Sequence, residues 1–156
     1  MVDYVQTSIS ANAAAGAPGQ VYDLGGPRPD IVSKRAQEPI AFGSYVSFIG
    51  EDCELSDTTG EVTGRQGGIA LIDQSKPSGA GYVAGDMVRV MRKGRVWVAT
   101  EQQVTAQASA FTRFAGTGAQ GAWRADADTA NAVAAPTTNY FLVIDAATAV
   151  VEINQP

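Results

Sequence analysis

The chain has 156 residues, 11 Lys and Arg against 16 Asp and Glu, no histidine and one cysteine, which suits a single domain. Without histidine there is no Ser-His-Asp or Cys-His catalysis, and with Cys53 alone there is neither a usual zinc site nor an intramolecular disulfide. A net charge of -5 has the wrong sign for a protein that binds by neutralising phosphates, so no nucleic-acid partner is expected.

No apolar run approaches the roughly 20 residues that span a bilayer, and the first base is Arg28, too late for the positive region of a signal peptide. A soluble chain with no membrane partner is expected. Sixteen Val and eight Ile against four Leu, with 17 Gly and 7 Pro, suit pleated segments broken by turns, so the fold class expected is all-β.

Residues 1–29 are rich in Ala, Gly and Pro and hold too few large apolar side chains to form a core. They are expected to form an extended N-terminal arm on another surface, a sister subunit or a larger assembly, the other reading being an arm folded back on its own domain. Tyr4, Val5, Val21 and Tyr22 are its candidate anchors, because apolar and aromatic side chains on a small-residue backbone fill a neighbour's pocket well.

From Asp30 to residue 156 short apolar runs alternate with turn chemistry, the pattern of a sandwich or barrel domain. Strands are expected over 31–37, 40–49, 68–73, 87–91, 95–100, 108–114, 140–145 and 149–153. The run MVRVMRKGRVWVAT predicts a hairpin with Lys93-Gly94 at its turn, and 140–153 predicts a second around Ala146-Ala147-Thr148. Between the strands expected at 40–49 and 68–73, Glu51, Asp52, Glu54, Asp57 and Glu61 read as a solvated acidic loop.

Arg89, Arg92, Lys93 and Arg95 gather four of the eleven bases on one predicted hairpin, either a contact for acidic loops of a neighbour or a charged edge strand. Gly116, Gly118 and Gly121 match the dinucleotide fingerprint in letters, but no strand–helix context and no suitably placed acid accompany them, so a flexible glycine loop is expected. Asp126-Ala-Asp128 lacks the Gly and Glu of a calcium loop, and predicts a salt bridge to Arg124 or an Asx turn. No metal, cofactor or small-molecule substrate is expected.

The order of Pro39-Ile-Ala-Phe-Gly43, Gly81-Tyr82-Val-Ala-Gly85-Asp86-Met-Val88, Gly94-Arg-Val96-Trp97-Val98, Phe111-Thr-Arg113-Phe114, Trp123-Arg124-Ala-Asp126-Ala-Asp128 and Phe141-Leu142 through Val150-Val151-Glu152 resembles the cement, or decoration, proteins of tailed-phage capsids. The likeness runs from about Asp30 to Ile153. It implies a jelly-roll-like sandwich or barrel and a homo-oligomer, dimer or trimer. It also implies a place on the outside of the virion, bound to the major capsid protein after synthesis in the bacterial cytoplasm, with no catalysis. Two rivals are a carbohydrate-binding or host-recognition module, which needs Trp97 or Trp123 exposed as a platform, and a dUTPase-like hydrolase, which Gly68 to Asp73 faintly resembles without that family's Tyr or phosphate motif.

Overall fold

The computed structural model describes residues 16–22, 28–77, 79–136, 140–144 and 147–155. Its strands, in chain order, are β1 (Asp30–Ala36), β2 (Tyr45–Ile49), β3 (Asp52–Glu54), β4 (Gly67–Ala70), β5 (Met87–Ala99), β6 (Phe111–Arg113), β7 (Trp123–Arg124), β8 (Ala132–Ala134), β9 (Tyr140–Ile144) and β10 (Thr148–Asn154). One short helix, α1 (Thr59–Gly64), and a 3-10 turn at Asp128–Ala130 complete the elements.

Five strands close on themselves: β1 pairs with β3, β3 with β2, β2 with β4, β4 with β5, and β5 returns to β1. The result is a small barrel, with β10 and β9 extending the sheet beyond β5 and a separate sheet ordered β7-β6-β8. The all-β class expected from composition therefore forms, and of the sandwich or barrel expected from the spacing of its apolar runs it is a barrel with a second sheet.

Alternation along the strands builds two cores, because successive side chains leave a strand on opposite faces. Val46, Cys53, Ala70, Val88 and Val90 join Ala36, Ile40, Phe42 and Tyr82 in one cluster, to which all five barrel strands contribute. Their immediate neighbours Tyr45, Ile69 and Met91 face the other way, into a second cluster with Val96, Val98, Trp123, Phe141, Val151 and Ile153. Burial among Val90, Phe42 and their neighbours pushes the Cys53 thiol up to about 11, which leaves it protonated and inert at neutral pH.

The first hairpin expected from sequence is not there. Met87–Ala99 is one strand of 13 residues, whose first half pairs with β1 and β4 and whose second half pairs with β10. Arg92-Lys93-Gly94 bends the strand instead of reversing it. Pairing with β1 shifts register between Asp30 and Ile31, and Gly94 adopts φ +137. After it the even positions Val96 and Val98 face the cluster that Met91 faced before. The second hairpin forms as expected, β9 against β10.

The acidic stretch is also more ordered than a solvated loop. Asp52–Glu54 is a barrel strand, and Thr58 with Glu61 makes a reciprocal capping box on α1, each side chain accepting from the other's main-chain N–H. Alternation hid β3, because only Cys53 of its three residues points inward.

Candidate functional site

Tyr4 and Val5 lie outside the described residues. The described piece of the arm, residues 16–22, lies on its own domain, which for these residues corrects the expectation of a neighbour's surface. Gly19 N–H donates to the Trp97 carbonyl at 2.7 Å, Trp97 N–H to Gln20 at 2.8 Å, Tyr22 N–H to Arg95 at 2.8 Å, and Ile72 N–H to Gly19 at 2.9 Å. Val21 sits opposite Val96 and is exposed, and Tyr22 meets the Trp97 ring edge-on at 5.9 Å.

The four bases of β5 do not make one open patch. Arg95 donates to Glu152 at 2.8 Å and Arg92 lies 3.7 Å from Asp30. Lys93 is half-buried where β1 and β10 meet β5. Arg89 is exposed and borders a groove of about 410 Å³ with Gln20, Val21, Ile72 and Asp73. The reason for the dispersal is the bend at Gly94, which sends the two halves of β5 to different neighbours.

The densest charge cluster lies elsewhere, under the glycine loop between β6 and β7. Arg113 is nearly fully buried and grips Glu101 with both prongs, at 2.7 and 2.8 Å, while donating to Asp128 at 2.6 Å and to the Ala115 carbonyl at 2.8 Å. Arg124 donates to Glu101 at 3.0 Å and to Asp126 at 2.8 Å. A Cβ on Gly118 would collide with Glu101 Oε1 and Arg113 Nε, so the loop carries glycine there because this ion pair occupies the space. Asp126 accepts from the Asp128 main-chain N–H at 3.0 Å, so the expected Asx turn and the expected bridge to Arg124 both form. Sequence reading missed Arg113 and Glu101. The only trace was an arginine on an apolar strand beside glycines.

These pairings set a pH response. Hydrogen bonds from Arg113 hold the Glu101 carboxyl below its ordinary range, and those from Gln102 and Arg124 do the same for Asp126. Asp52 is lowered by Arg35, and Asp86 by Lys76. Each carboxyl then binds its proton less readily folded than unfolded, so its stabilisation is complete above the unfolded value near 4 and is lost as pH falls through the folded one. Thermal midpoints measured from pH 7 to 2.5 are expected to stay level down to about pH 5 and then fall steadily. A midpoint that rises on acidification contradicts the assignment.

Residues 5–155 match the family described as structural cement protein (E217 gp24/Pam3 gp6). The chain belongs to that family. Among curated proteins there is no match. A chain from a structure titled "The capsid of Myoviridae Phage XM1" has the same fold, with TM-score 0.72 over 98% of each chain at 14% identity. As a phage cement protein the chain needs surfaces more than a cleft, and two rival sites lose their residues. Trp97 and Trp123 are 4% and 0% exposed, so neither indole offers the platform a carbohydrate module requires. Asp73 accepts from the Ser75 main-chain N–H and hydroxyl, the job of a turn residue.

Proposed function

We propose that this cement-family protein binds the outer surface of a tailed-phage head, contacts the major capsid protein and strengthens the junctions between its subunits without catalysing a reaction. The observation that carries the reading is the family match, which spans nearly the whole chain from residue 5 to 155. The physics agrees with it. A shell pressed outward from within gives way between subunits, and a clamp that touches several at once gains avidity from many weak contacts. A barrel with no free strand within its ring is a rigid body on which to mount them.

The protein mixed with undecorated heads is expected to co-sediment with them and to raise the temperature at which they release DNA, and labelled copies are expected on the outer surface in electron micrographs. Heads that neither retain the protein nor gain heat resistance contradict the proposal.

A further inference from the structure

Of the four bases on β5 only Arg89 is exposed, and among the described residues no carboxylate pairs with it, whereas Arg92 meets Asp30 and Arg95 meets Glu152. The one acid that lines its groove, Asp73, is already spent on Ser75, accepting from the main-chain N–H at 2.9 Å and from the hydroxyl at 2.7 Å. In a chain with a net charge of -5, a guanidinium on a strand with no internal partner is matched to an acid from outside.

Alternation sets Arg89 on the outer side of the barrel, because Val88 and Val90 next to it point inward. Register places Ser33 of β1 opposite Arg89 and Arg35 opposite Met87, and directly opposed residues share a face. Two adjacent strands thus carry one open strip, on which Met87 is 61% exposed and the Arg35 side chain 62%. The next row ends the strip, since Met91, opposite Ile31, is wholly buried in the second core. On the edge of β5 away from β1, Leu71 N–H donates to the Arg89 carbonyl at 2.8 Å, and there the groove of about 410 Å³ opens between residues 72–75 and the exposed Val21. Arg89 therefore stands where strip and groove meet.

Met and Arg are side chains in which protein interfaces are enriched. The groove also selects the charge it takes. A single guanidinium offers its fork to a planar carboxylate, and the Asp73 carboxylate on the same groove repels a dianion such as phosphate. The occupant must reach beyond the groove, because the exposed apolar side chains that flank Arg89 lie on the strip, at Met87, and across the groove, at Val21. A segment of protein does this and a small anion does not. We propose that an acidic segment of the major capsid protein docks across this strip and groove, its carboxylate held by Arg89 and its apolar flanks covering Met87 and Val21. The proposal rests on the capsid reading and adds to it the surface and the chemistry of the contact.

The test mixes the full-length protein with undecorated heads and measures the bound fraction by co-sedimentation over a range of protein concentrations. Arg89→Glu sets acid against acid and is expected to weaken binding about a hundredfold, and Met87→Ser about tenfold through lost apolar burial. Both residues are exposed, so the circular dichroism of each variant is expected to match wild type. Arg28→Glu makes the same change of charge at an exposed base just ahead of β1 and is expected to bind as wild type does. Heads whose carboxylates have been amidated with carbodiimide are expected to lose wild type, while the residual binding of Arg89→Glu falls no further. Wild type that binds heads together with an Arg89→Glu variant that binds equally well refutes this surface alone, and wild type that ignores heads refutes the capsid reading and this contact with it. Equal losses in Arg89→Glu and Arg28→Glu overturn the proposal in favour of net charge, and amidation that leaves binding intact overturns the acidic partner. A wild type that self-associates in solution and becomes monomeric with Arg89→Glu gives the surface to a second copy instead.

Discussion

Arg113→Met is expected to lower stability by about 3–5 kcal/mol, because a guanidinium almost wholly buried is removed while its acidic partners stay. Glu101 loses both of its bonds to Arg113, Asp128 loses the 2.6 Å bond, and the Ala115 carbonyl loses its donor. For a chain of this length, with 2–4 °C lost per kcal/mol, the thermal midpoint falls by roughly 10 °C. The sign of the pH dependence identifies the cause. In the variant Glu101 is less well paired and takes up a proton more readily, so the deficit relative to wild type shrinks below about pH 5. Adding Glu101→Gln should recover part of the loss at neutral pH, since removing both partners of a buried pair costs less than removing one. A deficit that is constant with pH and not relieved by the second substitution means that lost packing, not stranded charge, is responsible.

Deleting residues 1–22 is expected to do what sequence alone did not suggest, and weaken the β domain itself. Four main-chain hydrogen bonds join residues 19–22 to Trp97, Arg95 and Ile72, each about 1 kcal/mol net. Their loss, with the Tyr22 contact to the indole, lowers the thermal midpoint by roughly 10–15 °C. Trp97, only 4% exposed in the intact chain, becomes accessible, so acrylamide quenching rises and the emission shifts to the red while Trp123 stays shielded. Equal stability and unchanged quenching after removal of residues 1–22 refute the cis packing of this segment.

How far the sequence foretold the structure depended on what each local pattern could encode. Alternating apolar positions such as Val88 and Val90 or Val96 and Val98 made the all-β class legible, with β1, β2, β4, β6 and the β9–β10 hairpin in outline, whereas β7 and β8, two and three residues long, were not expected. Arg92-Lys93-Gly94 was misread because a basic pair before glycine suits both a tight turn and a strand bend. The choice between them is made by β1 and β4, distant segments that occupy both sides of Met87–Met91 and leave no room for a returning strand. Asp52–Glu54 showed one apolar residue in three, too short for any period to register. The capping box at Thr58 and Glu61 was readable, yet the density of acids around it drew attention to charge instead of spacing. Of the eight named anchors and bases, Arg95 and Arg92 proved engaged within the chain, and Val21 and Tyr22 lie on β5. The cross-strand pairs Ile49–Asp52, Asp52–Arg35 and Arg35–Met87 were beyond sequence reading, since register alone makes each pair neighbours.

The closing of the barrel also dictates when the chain can fold. The ring is shut by residues 30–35 meeting 87–93, and the second core waits for 148–154 to pair with 93–99. Both of these closing pairings join distant parts of the chain, so loop-closure entropy must be met before contacts repay it, which places folding in the millisecond-to-second range. During synthesis the β1–β5 ring has all its partners before β10 emerges, whereas the second half of β5 waits for β10. A nascent chain stalled before Thr148 therefore leaves Val96 and Val98 without the strand that pairs across from them, and half of the second core unbuilt.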